Sequence, residues 1–98
     1  MSERNRIEID FARQMARAQE LKEIADEMVA LARSDLPDAL TRLAQGFGGE
    51  NGAAFLKKGA LLEPSLYQTA DRILKVSQNI RLTAELLYRA EKSAQTIF

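Results

Sequence analysis

From Ile7 onward the apolar residues of this chain fall three or four positions apart: Ile7, Phe11, Met15, Ala18, Leu21, Ile24 or Ala25, Met28, and Leu31 or Ala32. The positions between them, among them Arg13, Gln14, Arg17, Gln19, Glu20, Lys22, Glu23, Asp26 and Glu27, are polar. That alternation has the period of an amphipathic α-helix with one solvated face. The row resumes in phase at Leu36, Leu40, Leu43 and Phe47. Between the two stretches lies Ser34-Asp35-Leu36-Pro37. A proline inside a helix removes a backbone hydrogen bond and crowds the preceding turn. Either one helix kinks there, or a second begins with Ser34 or Asp35 as its cap. The continuous phase favours a kink or a brief break within a first helix of about residues 7–46.

Punctuation comes at about residues 46–52, where Gly46, Gly48, Gly49 and Gly52 cluster around Asn51. Such a stretch predicts chain reversal near the midpoint. A second helix is expected over about residues 53–97, with Gly59 and Glu63-Pro64 weakening its first turns. Its apolar row is Leu66, Ala70, Ile73, Val76 or Ser77, Ile80, Ala84, Leu87, Ala94 and Phe98. The pattern therefore predicts an all-α protein, an antiparallel helical hairpin with a Gly-rich turn, as a single domain over residues 1–98. Leu61, Leu62, Leu74, Leu82, Leu86 and Ile97 lie beside the main row and widen the apolar face of the second helix. One neighbouring helix cannot cover a face that wide. Pairing with another hairpin into a four-helix bundle, as a dimer, is the simplest remedy.

Composition narrows the chemistry. The 98 residues carry 14 basic and 14 acidic side chains, four Phe, two Tyr and no Trp, His or Cys. Without His or Cys there is no thiol nucleophile, no Cys/His zinc site and no imidazole base. Ser65, Ser77 and Ser93 have no base to activate them. Asp35 and Asp38 read as charges complementing a helix start, and Glu23, Asp26 and Glu27 as a salt-paired helix surface beside Lys22. Lys57-Lys58-Gly59 lacks the remainder of a phosphate loop. No catalytic residue, cofactor site or metal site is expected, and the chain is not read as an enzyme. Nor is nucleic-acid binding expected, because the arginines are scattered and offset by acids. No apolar run approaches the roughly 20 residues of a membrane span. Residues Met1 to Asp10 contain Glu3, Arg4, Arg6, Glu8 and Asp10 and no apolar core, so a cleavable secretion signal is not expected there.

The segment Phe47-Gly48-Gly49-Glu50-Asn51-Gly52-Ala53-Ala54-Phe55 resembles the hairpin motif of the WXG family, small leaderless helical proteins exported by ESX-type (type VII) secretion systems. The family's turn has an aromatic residue, usually Trp, then any residue and Gly, with small residues and a second aromatic about eight positions after the first. Phe47 takes the Trp place, Gly49 the Gly place and Phe55 that of the second aromatic. Chain length, the central turn and the missing Cys agree with the family. Phe for Trp is a departure. The family's export signal, Tyr, three residues, then Asp or Glu, has a near match in Tyr88-Arg89-Ala90-Glu91, where the acid comes one position early. Tyr67-Gln68-Thr69-Ala70-Asp71 has the spacing but lies near the start of the second helix.

The resemblance implies a non-enzymatic type VII secretion substrate or helical partner protein. Such a protein would form a homodimer, or a heterodimer with another helical hairpin protein such as the N-terminal helical region of a secreted toxin. It would be secreted without a cleavable signal peptide after a cytoplasmic stage, with Tyr88 and Glu91 as the candidate signal offered to a secretion ATPase. The residues expected at the dimer or partner interface are Phe11, Met15, Met28, Leu40, Leu66, Ile73, Ile80 and Leu87. The alternative reading is a cytoplasmic helical chaperone or adaptor that holds an amphipathic helix of a partner.

Overall fold

The computed structural model describes residues 3–97, with side-chain surroundings given through Gln95. The side chain of Ile97 and the whole of Phe98, both part of the expected apolar pattern, lie outside the described residues. The protein is all-α. Helix α1 spans Glu3–Ala30, a π-helical turn covers Leu31–Asp35, α2 spans Leu36–Phe47, α3 Gly49–Gly59 and α4 Leu62–Ile97. Only Gly48 and the turn at Ala60 and Leu61 interrupt helix among the described residues. Contacts divide the chain into two compact units, one formed by residues 3–23 with 73–97 and the other by residues 24–72.

The first unit is a pair of antiparallel helical segments, one from each of α1 and α4. Advancing along α1 from Glu8 to Ala18 moves the partner back along α4 from Lys92 to Ser77. Ile7, Ala18, Ser77 and Ala84 are buried at the seam. The Ser77 hydroxyl donates to the Ala18 carbonyl at 2.6 Å, so a polar group sits in the apolar line with its partner supplied by the opposite backbone. This bond fixes the register of the pair at that level.

In the second unit the proline does not break the helix. Leu36 N–H bonds to the Leu31 carbonyl five residues back, a wider turn than the α-helix makes. This turn lies immediately before Pro37, the residue whose ring would crowd the carbonyl four positions earlier. Thr41 Oγ1 donates to the Pro37 carbonyl at 2.9 Å. Asp35 makes no side-chain cap. The extra residue in the turn explains the spacing of the buried positions. Ala25 and Ala32 are seven apart, but the next buried apolar residue is Leu40, eight further on.

The chain reversal is tighter than the sequence pattern suggests. Helix α2 runs to Phe47 and α3 starts at Gly49. Gly48 alone is non-helical, at φ 70° and ψ 161°, a region open essentially to glycine, and Gly49 follows at φ 52°. Gly48 N–H closes α2 on the Ala44 carbonyl at 3.1 Å, and Gly52 N–H bonds to the Gly48 carbonyl at 3.0 Å. Gly52 lies so close to Ala44 that a Cβ on it would stand 2.5 Å from that carbonyl oxygen. Gly59 is buried beneath the Leu40 side chain, so it serves a close contact as well as ending α3. Pro64 stands in the first turn of α4, where its missing N–H has no intrahelical acceptor to lose.

Candidate interaction surface

Small side chains occupy the buried line in both units. At each place where the periodicity leaves a choice between a large and a small residue, the small one is buried. Ala25 is inside and Ile24 out, Ala32 inside and Leu31 out, Ser77 inside and Val76 out. Among the described residues no large side chain is fully buried. Alanine and serine let helix axes approach closely, and the larger residues one position away are turned to the flanks.

In the first unit this leaves an apolar row on α4. Val76, Ile80, Thr83 and Leu87 step by four, three and four and share one face. With Gln14 of α1 and with Ala84 they line a shallow open depression. Val76 is 50 % and Leu87 56 % exposed, and Ile73 and Ile80 are half-buried. Leu82 and Leu86 are exposed on a different face of the same helix. In the second unit Leu43, Phe47, Leu56, Leu61 and Leu62 are exposed. The Phe47 and Phe55 rings lie 5.3 Å apart at 45° across the Gly48 turn. Phe47 nonetheless keeps an open flank, part of a depression shared with Asn51, Ala54, Phe55 and Lys58.

The interface residues expected from the sequence thus have different fates. Leu87 is open, and Met15, Met28, Leu66, Ile73 and Ile80 are half-buried. Leu40 is buried within its own unit against Gly59, and Phe11 is half-buried with its ring 4.4 Å from that of Tyr88. The expectation that the stripe passes through either Val76 or Ser77 divides in two. Ser77 belongs to the intramolecular seam, and Val76 to the open row.

A polar cluster closes the first unit beyond Phe11. The Tyr88 hydroxyl donates to the two carboxylate oxygens of Glu8 at 3.0 and 3.1 Å. Lys92 Nζ pairs with Glu8 Oε1 at 2.5 Å and sits 5.5 Å from the Tyr88 ring centroid. Arg6 pairs with Glu3 and Asp10 on its own helix and reaches Glu91 of α4 at 4.0 Å. Bonding from Lys92 and then from Tyr88 holds the Glu8 carboxyl below the ordinary carboxylate range, and Arg6 does the same for Glu3. Tyr88 and Glu91, the candidate signal, are therefore both engaged by α1. Sequence reasoning did not find Glu8, because nothing in its own neighbourhood marks it. Its partners are eighty and more positions away.

Among the described residues no group of three or more Asp or Glu could hold a metal ion, and no helix is long and apolar enough to cross a membrane. Comparison of the chain with protein-family models, with curated proteins and with solved structures gave no match.

Proposed function

We propose that this chain is a non-enzymatic helical interaction protein of the WXG type, acting as a substrate or helical partner in type VII secretion. Its activity is assembly: it pairs with itself or with a cognate helical protein, such as a secreted toxin's N-terminal region, into a four-helix bundle competent for export. The observation that carries this reading is the row Val76, Ile80 and Leu87, which lies beside the small-residue seam and is only half covered within the chain. The Phe47, Gly49, Phe55 turn supports the choice of family. Completing the burial of each half-exposed Val, Ile or Leu contributes about 1 kcal/mol. A row of three thus contributes about 3 kcal/mol, somewhat less than the lower estimates, about 4 kcal/mol, of the entropy lost on association. Matching rows on both partners take the sum beyond that.

The test is the solution mass of Val76→Asp and Ile80→Asp beside the wild type, by light scattering coupled to size exclusion. The chain is then co-expressed with its genomic neighbours. A wild-type chain that is dimeric or forms a defined complex, and loses that association on either substitution while keeping its helix content, supports the reading. A wild type that stays monomeric with every neighbour, or variants that associate as before, overturn the assignment of the row. Association without any protein in the culture medium, and without a secretion ATPase encoded nearby, transfers the reading to a cytoplasmic helical adaptor.

A further inference from the structure

The Glu8 cluster has a consequence for the end of α4, on the reading that Tyr88 and Glu91 are recognised by a partner. Each polar or aromatic handle of that pair is already in use. The hydroxyl of Tyr88 is held by Glu8, one side of its ring by Phe11, and Lys92 of the next turn is drawn onto the same Glu8 carboxylate. Glu91 faces the Arg6 guanidinium at 4.0 Å. Three residues of α1 within two turns, Arg6, Glu8 and Phe11, thereby account for both members of the candidate signal. A protein that reads the tyrosine ring and hydroxyl has to compete with these contacts.

We infer that the first turns of α1 mask the recognition face at the end of α4, so that Tyr88 becomes available only when Glu8 releases it. The device suits a helix end, where local opening costs far less than global unfolding. Glu8 is the joint of the mask. It accepts from both Tyr88 and Lys92, it is exposed, and its replacement by alanine disturbs neither helix propensity nor the buried seam. A site closed nine-tenths of the time is bound about tenfold more weakly than an open one, so unmasking is expected to strengthen recognition by roughly that factor.

The mask can be read without a partner. The chain has no Trp and only two tyrosines, so in a Tyr67→Phe background Tyr88 is the sole source of tyrosine fluorescence, excited at wavelengths where phenylalanine does not absorb. Acrylamide quenching is measured for that chain, for Glu8→Ala and for Glu20→Ala, an exposed carboxylate of the same helix, with circular dichroism confirming equal helix content. The slope is expected to rise roughly twofold for Glu8→Ala, as the ring passes from mostly closed to mostly open, and to stay unchanged for Glu20→Ala. An unchanged slope for Glu8→Ala overturns the mask. Export of the Glu8→Ala chain, with Tyr67 intact, is then followed in the culture medium of the native host. A larger exported fraction than wild type supports the inference. An equal or smaller fraction, with wild type exported, overturns masking as a control on recognition. A raised slope with neither chain in the medium leaves the mask standing and refutes the secretion reading instead.

Discussion

Alanine substitutions at three glycines separate what close approach does from what helix propensity does. Gly46, Gly52 and Gly59 all lie in helices, and replacing a helical glycine by alanine gains about 0.5–1 kcal/mol when nothing is in the way. At Gly46 nothing stands within 4 Å of an added Cβ, so Gly46→Ala is expected to stabilise by about 0.5 kcal/mol, the lower end because the site is one residue from the end of α2. At Gly52 the added Cβ stands 2.5 Å from the Ala44 carbonyl oxygen, about 0.9 Å short of the 3.4 Å at which ordinary contact begins. The obstacle is backbone and has no rotamer to change. Overpacking of this kind costs about 1–3 kcal/mol. Subtracting the propensity gain leaves Gly52→Ala destabilised by about 1–2 kcal/mol, or roughly 5–15 °C in melting temperature for a chain of this size.

Gly59 is the internal control. The added Cβ meets Leu40 Cδ2 at 2.5 Å and Cδ1 at 2.9 Å, the far end of a flexible side chain that can turn aside. Gly59→Ala is therefore expected to stay within about 1 kcal/mol of wild type. The assay is thermal and urea unfolding followed by circular dichroism, all four proteins at one concentration, since any association raises apparent stability. The expected order of melting temperatures is Gly46→Ala, wild type, Gly59→Ala, Gly52→Ala. A Gly52→Ala chain that melts with or above wild type refutes the argument, because it means the α2 and α3 backbones do not approach as described.

Other substitutions test other parts of the fold. Gly48→Ala forces a side chain into a backbone region that only glycine occupies readily, and is expected to cost about 1–3 kcal/mol; a melting temperature equal to wild type contradicts the turn geometry. Ser77→Ala removes a buried cross-helix hydrogen bond and is expected to cost about 0.5–1.5 kcal/mol, with no gain in helix content. A stabilised Ser77→Ala chain would show that the hydroxyl is a burden at the seam and not its register pin. The Glu8 carboxyl is held below its ordinary range in the folded chain. Its stabilising effect is therefore fully present above the unfolded value of 4.5 and lost as pH falls through the lower, folded value. The difference in melting temperature between wild type and Glu8→Gln should accordingly shrink below pH 4.5, and a difference constant from neutral to strongly acid pH refutes the role given to Lys92 and Tyr88.

Helical class was legible because a period of three and four persists through most of the chain, and the midpoint reversal because glycines cluster there. What the pattern could not decide was which residue of each ambiguous pair faces inward. Hydrophobicity alone favours Ile24, Leu31 and Val76, yet Ala25, Ala32 and Ser77 are buried. The deciding quantity is the distance between helices, which a single helix's pattern does not contain. A signal for it was nonetheless present. Ala18, Ala25 and Ala32 are seven apart, as are Ala70, Ser77 and Ala84, and as are Gly52 and Gly59. Small residues at that interval mark close helix contact, whereas a scan for large apolar residues passes over them. The π-turn was illegible for a related reason. Pro37 predicts a disturbance but not its form, and a one-residue widening preserves the helix while shifting the buried row by one.

The choice of small residues for the seam also says where the remaining stability has to come from. A buried alanine or serine contributes little hydrophobic free energy, about 0.8 kcal/mol per buried carbon, against roughly 1.5–3 for leucine or isoleucine. A seam that holds Ala18, Ser77 and Ala84, with Ile7 its one large buried side chain among the described residues, sets the spacing of the first unit accurately but stabilises it weakly. The larger contributions of Val76, Ile80 and Leu87 remain half unrealised because the side chains stand partly in water. Placing the small residues inside and the large ones outside lowers the stability of the separate chain and leaves apolar surface open, surface that the proposed association would bury. If a partner covers that row, as proposed, folding and association are coupled, and the melting temperature should depend on protein or partner concentration far more steeply than in a helical pair built on a leucine seam.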